Sequence, residues 1–291
     1  QIKKTLNQLK INNHSFYESK NGTIQLYSIR KSDDGYNEFL KNKVILTAGG
    51  TVVLARGVHN VIQKNNNIHF PWGDTQEVFN HSDINIINFK SPLIDNYVKP
   101  NSRWLLYGKK EYVKGLVKAN INIAAISGNH MGDAGTDGLI QTINTLNENN
   151  IQVIGAGINK ETAYKCLKIK KKNMNIGFLS FNNVPGSIKK ATDDTTGIAW
   201  IDNDAHIAIK KCKSSVDQLV VIVNWGIEYV HKPREKEIKI AHKMVENGAN
   251  LIIGDQAHWV QNYEKINDNH ISYGLGNYIF DQHWSENTTE G

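Results

Sequence analysis

Eight short, mainly apolar runs of strand length follow one another from Lys43 onward, and amphipathic segments separate them. The first is Val44 to Ala48, which ends in Gly49 and Gly50. The others are Ile84 to Phe89, Ile121 to Ile126, Ile151 to Ile154, Ile176 to Phe181, Leu219 to Val223, Leu251 to Ile253 and Ile271 to Leu275. Runs of this length suit strands buried on both faces. Helical spacing fills the intervals at Glu111 to Ala119, Thr136 to Asn149, Asp204 to Lys213 and Pro233 to Asn247. In the second of these, Leu139, Ile140, Ile143 and Leu146 share one face, while Gln141, Asn144, Asn147 and Glu148 occupy the other. Strand and helix in alternation imply a sheet-centred α/β domain with helices on its outer faces. No repeat, linker or change of composition interrupts it. Residues 1–42 precede it and, with a turn signal at Ser32 to Gly35, read as either a short hairpin or an appended segment.

The 291 residues are enough to bury a full core without staples, and no stretch approaches the 18 apolar residues of a membrane-spanning helix. Cys166 and Cys212 lie in Lys-rich surroundings without a Cys-x-x-Cys pattern, so simple thiols are expected. The net charge of +6 raises the question of a nucleic-acid partner. Of the 34 basic residues, however, only Arg30, Arg56, Arg103 and Arg234 are arginine, the side chain suited to bidentate phosphate and base contacts. Lys and Asn are abundant together, which marks the charge as compositional, and no nucleic-acid partner is expected.

In a domain of this kind, functional groups gather in loops beyond the carboxyl ends of the strands. Those loops are Gly49 to Arg56, Asn88 to Pro92, Ser127 to Gly135, Asn224 to Tyr229, Gly254 to His258 and Gly274 to Asp281. Asn129, His130 and Asp133 place an amide, an imidazole and a carboxylate within five residues, and the first two are usable ligands for a divalent metal. The structural alternative is that Asn129 shapes a turn, His130 packs and Asp133 caps the helix opening near Thr136. Asp255 and His258 form a second such loop; taken alone, His258 reads more readily as a core histidine. Asn224 and Glu228 flank Trp225, which reads as either a core plug or a stacking face. Asp204-Ala-His206 and Asp281-Gln-His283 also have metal-like spacing, the first at a helix start where Asp204 suits an N-cap.

Six segments in this order resemble the CapA family, the poly-γ-glutamate capsule synthesis type within the calcineurin-like metallophosphatase superfamily. They are LTAGGTVVLARGV at 46–58, INFKSPL at 87–93, ISGNHMGDAGTDGLIQTINTLNENNIQVIGAG at 126–157, NWGIEY at 224–229, ENGANLIIGDQAHWVQ at 246–261 and ISYGLGNYIFDQ at 271–282. The resemblance implies a four-layer α/β/β/α sandwich over 43–291, with a metal cluster where two facing sheets end. It also implies a further strand beyond Gly291, a cell-envelope setting that is membrane-anchored or extracellular, and association with other capsule-assembly membrane proteins.

Carried over position by position, the family's ligand set is incomplete. Thr51 stands at the Asp of the first motif, and Lys90 at the Glu of Asn-Leu-Glu-Ser-Pro. Gly128, Asn129 and His130 stand at Asn-Asn-His, followed by Asp133. Asn224 holds the His position of His-Trp-Gly, and in Gly-x-His-Pro-His Gln256 replaces the first His while His258 keeps the second. The residual metal positions are therefore Asn129, His130 and His258, with His130 and Asp133 as the catalytic candidates. A two-metal site needs carboxylates and imidazoles to hold its cations, and an ammonium at Lys90 opposes them.

Two expectations follow. One is a cation-free scaffold or binder of an anionic polymer or a small carboxylate or phosphate ligand, with Lys90, Asn224, Trp225, Glu228, Asp255 and Gln256 lining the site. The other is an active hydrolase or transferase using manganese, iron or zinc, with Asp255, Glu228 or Asp281 as replacement acids.

Overall fold

The computed structural model describes residues 17–19, 22–24 and 43–289. Tyr17–Ser19 pairs antiparallel with Gly22–Ile24. The turn expected at Ser32 to Gly35 lies outside the described residues.

Two sheets form the centre of the molecule. The first contains β1 (Leu46–Val52), β2 (Ile84–Phe89), β3 (Ile123–Ala125) and β4 (Gln152–Ile154). The second contains β5 (Leu167–Lys171), β6 (Met174–Asn182), β7 (Gln218–Asn224), β8 (Leu251–Asp255), β9 (Tyr263–Ile266) and β10 (Asn269–Ser272). The chain then returns to the first sheet as β11 (Asn277–Ile279). The first sheet is wholly parallel in the order β11-β1-β2-β3-β4. The second runs β5-β6-β7-β8-β10-β9, parallel at its centre, with antiparallel β5 and β9 at its edges.

Side-chain alternation along these strands creates three cores, and the cores define the layers. Ile84, Ile86, Ile123 and Ile154 of the first sheet meet Phe178, Val220, Ile222 and Ile253 of the second, so the two sheets pack face to face. Ile87 and Phe89 point the other way, against Val58 and Ile62 of α1 (Arg56–Asn65), Leu116 of α2 (Val113–Lys118), and Leu139 and Leu146 of α3 (Gly135–Glu148). On the far side, Leu219, Val221 and Val223 bury Ile209 of α4 (Asn203–Lys213) and Met244 of α5 (Glu235–Glu246). The architecture is thus the expected α/β/β/α sandwich.

Several local features differ from the expectations. The edge strand β5 is polar: Leu167 and Ile169 face the core while Lys168 and Lys170 face solvent, so no apolar run marks it. The stretch expected as a loop from Gly274 contains β11, and α1 was not foreseen; its first turn carries no acidic residue. The N-cap of α4 is Asp202, whose carboxylate accepts from the Ala205 amide; Asp204 instead pairs with Lys190. Nor does Asp133 cap α3, because Ala134 occupies that position without a side-chain cap.

The expectation of two simple thiols is also corrected. Cys166 and Cys212 form a disulfide that ties the start of β5 to α4, with their Cα atoms 5.7 Å apart. Gly177 on β6 makes room for it, since a Cβ there would lie 2.6 Å from the Cys212 sulfur. A separation of 46 residues carries no pairing signal in sequence; only the packing of α4 on the second sheet brings the sulfurs together. Among the described residues no helix is long and apolar enough to cross a membrane.

Candidate functional site at the facing strand ends

The carboxyl ends of the two sheets meet directly. Thr51 at the end of β1 donates its hydroxyl to Asp255 Oδ1 at the end of β8, at 2.7 Å. Lys90, just past β2, places Nζ 2.9 Å from Asp255 Oδ2, with 3 % of the Lys90 side chain exposed and none of Asp255. This contact is an ion pair rather than an aligned hydrogen bond; the aligned bond runs from Lys90 Nζ to Gln256 Oε1 at 3.1 Å. Gln256 in turn donates to Glu228 Oε1 at 3.0 Å.

Lys90 reaches this position because of a second change in the same region. A Cβ at Gly128, which stands where the family pattern has Asn, would lie 2.9 Å from Lys90 Cγ. Real Cβ atoms essentially never approach so closely, so the glycine provides the channel for the lysine stem. The two departures from the pattern are sterically linked.

Three further groups surround this pair. Asn224, at the end of β7, donates to Asn182 Oδ1 at 2.8 Å and to Asn129 Oδ1 at 3.3 Å, joining the ends of β6 and β7 to the loop after β3 through amides alone. Its own buried Oδ1 has no hydrogen-bond partner among the described residues. His130 Nδ1 lies 2.8 Å from Asp133 Oδ2, and that oxygen also accepts from the Leu106 amide at 2.7 Å. The imidazole keeps about a third of its side-chain surface exposed, whereas Asp133 is buried. His258 is oriented by Asn277, whose Oδ1 lies 2.8 Å from Nδ1, and its Nε2 lies 3.7 Å from Glu228 Oε1. That imidazole, beyond hydrogen-bond length but in ion-pair range, holds the Glu228 carboxyl below its ordinary value; burial works against it and Lys90 works with it. Burial, with Glu228 nearby, pushes the Tyr229 phenol up to about 12.

The backbone here is unusual. Tyr229, Gln256 and His258 all have positive φ, at 62°, 99° and 59°, conformations that non-glycine residues adopt at a cost of about 1–3 kcal/mol each. The Tyr229 amide bonded to Ala257 O at 2.8 Å and the Gln256 bond to Glu228 hold the two loops together. Trp225 is a core plug, not a stacking face: it is 1 % exposed, stacks on Tyr273, and donates Nε1 to Tyr273 O at 3.0 Å.

These residues do not fit a divalent metal pair. Among the described residues no three His, Cys, Asp or Glu side chains converge. Asp255, the acid best placed to replace a lost ligand, is already neutralised by Lys90. Asp281 is held by Arg56 Nε at 3.2 Å and by the Gly57 amide at 2.8 Å. A divalent ion about 4 Å from the Lys90 ammonium would meet roughly 8 kcal/mol of repulsion at an effective dielectric constant of about 20. His206 and His283 play no part here: His206 pairs with Asn247, and His283 is exposed.

Sequence reasoning missed Asn182, Asn277 and Gln282. Asn277 donates to Gln282 Oε1 at 3.2 Å, and Gln282 donates to the Tyr229 hydroxyl at 3.2 Å. The signal for Asn277 was present in the quoted ISYGLGNYIFDQ segment. For Asn182 the signal is the Asn182-Asn183 pair that ends β6.

Residues 45–282 match the family model described as bacterial capsule synthesis protein PGA_cap. The PGA biosynthesis protein CapA of Bacillus subtilis is 31 % identical over 241 residues, covering 81 % of this chain and 63 % of that protein. The capsule biosynthesis protein CapA of Bacillus anthracis is 29 % identical over 261 residues, covering 84 % and 61 %. The chain therefore spans about three-fifths of the length of these curated relatives. Among solved structures, the NAD nucleotidase NadN of Haemophilus influenzae aligns at 14 % identity over 73 % of this chain and 44 % of that one, with a TM-score of 0.48. The layer order above rests on core packing and not on that likeness. With a family model matched over well beyond half of its length, and in the order of motifs that surrounds the Lys90–Asp255 pair, the chain belongs to the bacterial capsule synthesis family that includes CapA.

Proposed function

We propose that this chain serves in the biosynthesis of a capsule or cell-envelope polymer of poly-γ-glutamate type, as a scaffold or binder of an anionic polymer rather than as a metal-dependent enzyme. The observation that carries this reading is the buried Lys90–Asp255 pair, which puts a fixed positive charge where the family pattern has a metal-binding acid. An ammonium in that place retains the electrostatic sign of a cation without the Lewis acidity that lowers the pKa of a bound water.

The names of the relatives, which speak of capsule biosynthesis, support a cell-envelope setting; the membrane-anchored or extracellular position and the association with capsule-assembly membrane proteins belong to the proposal and rest on the family resemblance. The Cys166–Cys212 disulfide supports the envelope setting independently, because such bonds persist in oxidising compartments.

One observation favours a second reading, an active divalent-metal hydrolase or transferase. The His130–Asp133 pair is intact, with the acid buried and the imidazole accessible, an arrangement suited to proton transfer. Rescue of a deletion strain separates the two readings. A scaffold restores surface polymer whether residue 130 is His or, in His130→Ala, Ala. Rescue by the wild type and not by a folded His130→Ala variant would overturn the scaffold reading, and unchanged polymer in the deletion strain would overturn the biosynthetic role.

A further inference from the structure

Near the Lys90 centre, and linked to it through the Phe280 ring, a cleft of about 410 Å³ opens at the carboxyl end of the first sheet. β1 leads into its Arg56 and β11 into its Asp281, and the segment through Tyr97, Lys99 and Arg103, with Trp284, completes the lining. Phe280 touches both regions: the Arg56 guanidinium lies 5.0 Å from its centroid and the His258 ring 5.5 Å from it. Trp284 is likewise linked to His258 through Tyr229, at centroid distances of 6.2 Å and 5.7 Å.

Three cations and one acid line the cleft, a formal charge of +2 from Arg56, Lys99 and Arg103 against Asp281. His59 adds no charge, because burial and the neighbouring Lys109 and Lys99 hold its pKa below the usual imidazole value. Arg56 is committed: it holds Asp281 through Nε and Nη2 and donates Nη1 to Arg103 O at 3.1 Å. Lys99 and Arg103 are not, since neither has an acidic partner within ion-pair distance among the described residues. The Arg103 guanidinium is pre-positioned 4.5 Å from the centroid of Trp104, an indole left 64 % exposed. The concentration of arginine is notable in a chain with four, two of which face this one cleft.

We infer that this cleft is a binding site for an extended polycarboxylate chain of γ-glutamyl type, read by Lys99 and Arg103 while Tyr97 and Trp284 pack against its methylene spacers. The inference deepens the polymer-binding reading given above and rests on it. Carboxylate is the class indicated because the cleft already holds one: Asp281 sits in the guanidinium fork of Arg56 with a backbone amide on the same oxygen, the geometry in which arginine recognises carboxylates. The volume falls within the range of small-ligand sites, so it takes a short stretch of the chain while the rest runs over the open rim.

Calorimetric titration of the whole chain with a γ-linked oligoglutamate, beside inorganic polyphosphate of matched charge, tests this. Expected is saturable oligoglutamate binding that weakens as salt rises. In Lys99→Ala/Arg103→Ala the affinity should fall about tenfold, the sum of two exposed charged contacts, with an unchanged melting temperature. Lys99→Arg/Arg103→Lys should recover most of it. No saturable heat, or full affinity in the alanine pair, would overturn the site. Equal binding of polyphosphate with the same loss would overturn the carboxylate assignment. If the deletion strain lost its surface polymer while oligoglutamate failed to bind, the biosynthetic role would stand and this cleft would fall; the reverse pattern would spare the cleft and remove the role.

Discussion

Lys90→Met is the most revealing substitution, because it keeps the length of the stem in its channel beside Gly128 and removes only the charge. Asp255, with none of its side chain exposed, would keep the Thr51 hydroxyl at 2.7 Å and lose the cation on its other oxygen. Removing one partner of a buried pair costs about 3–5 kcal/mol, most of it the uncompensated charge left behind. For the described domain of roughly 250 residues, with an unfolding entropy of about 2 cal/mol/K per residue, that corresponds to a melting temperature lower by about 6–10 °C. Asp255→Asn should cost a similar amount by stranding the ammonium. In the double variant Lys90→Met/Asp255→Asn no charge is left, and the carboxamide oxygen can still accept from Thr51. The double cost should therefore fall at least 2 kcal/mol short of the sum. Guanidinium unfolding followed by the fluorescence of buried Trp72 and Trp225 reads all three. If Lys90→Met cost under about 1 kcal/mol, or if the two single costs simply added, the pair would not be the electrostatic centre described.

Gly128→Ala should destabilise by about 1–3 kcal/mol through its 2.9 Å approach to Lys90 Cγ, and the cost should vanish in a Lys90→Ala background; an undiminished cost there would place the clash elsewhere. Reducing the Cys166–Cys212 disulfide, which closes a loop of 46 residues, should lower stability by about 4 kcal/mol on the chain-entropy model, seen as a shift of about 8 °C between reducing and oxidising scans. Glu228 has a carboxyl pKa lowered in the folded state, chiefly by His258. Its contribution is therefore complete above the ordinary carboxylate value of 4.5 and lost as pH falls through the lower folded value. Glu228→Gln should accordingly show a shallower loss of stability below about pH 4.5 than the wild type, and parallel curves would contradict the assignment.

The interior of the fold was legible because burial dictates composition. β2 runs Ile84–Phe89, as read from its apolar run, and α3 lies within one residue of its expected bounds at each end. What escaped was at the edges. β5 alternates Leu and Ile with Lys, since one of its faces is solvated, and β11 is a three-residue strand whose Asn277 serves the site rather than the core. The site was legible as a set of positions but not as a network. Spacing and resemblance brought Thr51, Lys90, Asn129, Asn224 and His258 into consideration. That Lys90 would pair with Asp255, and that Gly128 would give it room, depends on two loops from different sheets meeting, and no local pattern encodes that. Likewise, neither cysteine carried a pairing signal, because their contact exists only once α4 has packed on the second sheet.

The claim on which the rest depends is that Lys90 holds the place of a cation. Elemental analysis of the purified chain after incubation with excess manganese, iron or zinc and exhaustive desalting tests it most directly, with Lys90→Glu/Gly128→Asn carried alongside. The wild type should retain well under one equivalent of any of the three metals. Retention of about two equivalents, lost on His130→Ala, would show that a metal centre persists beside the ammonium and would contradict the account.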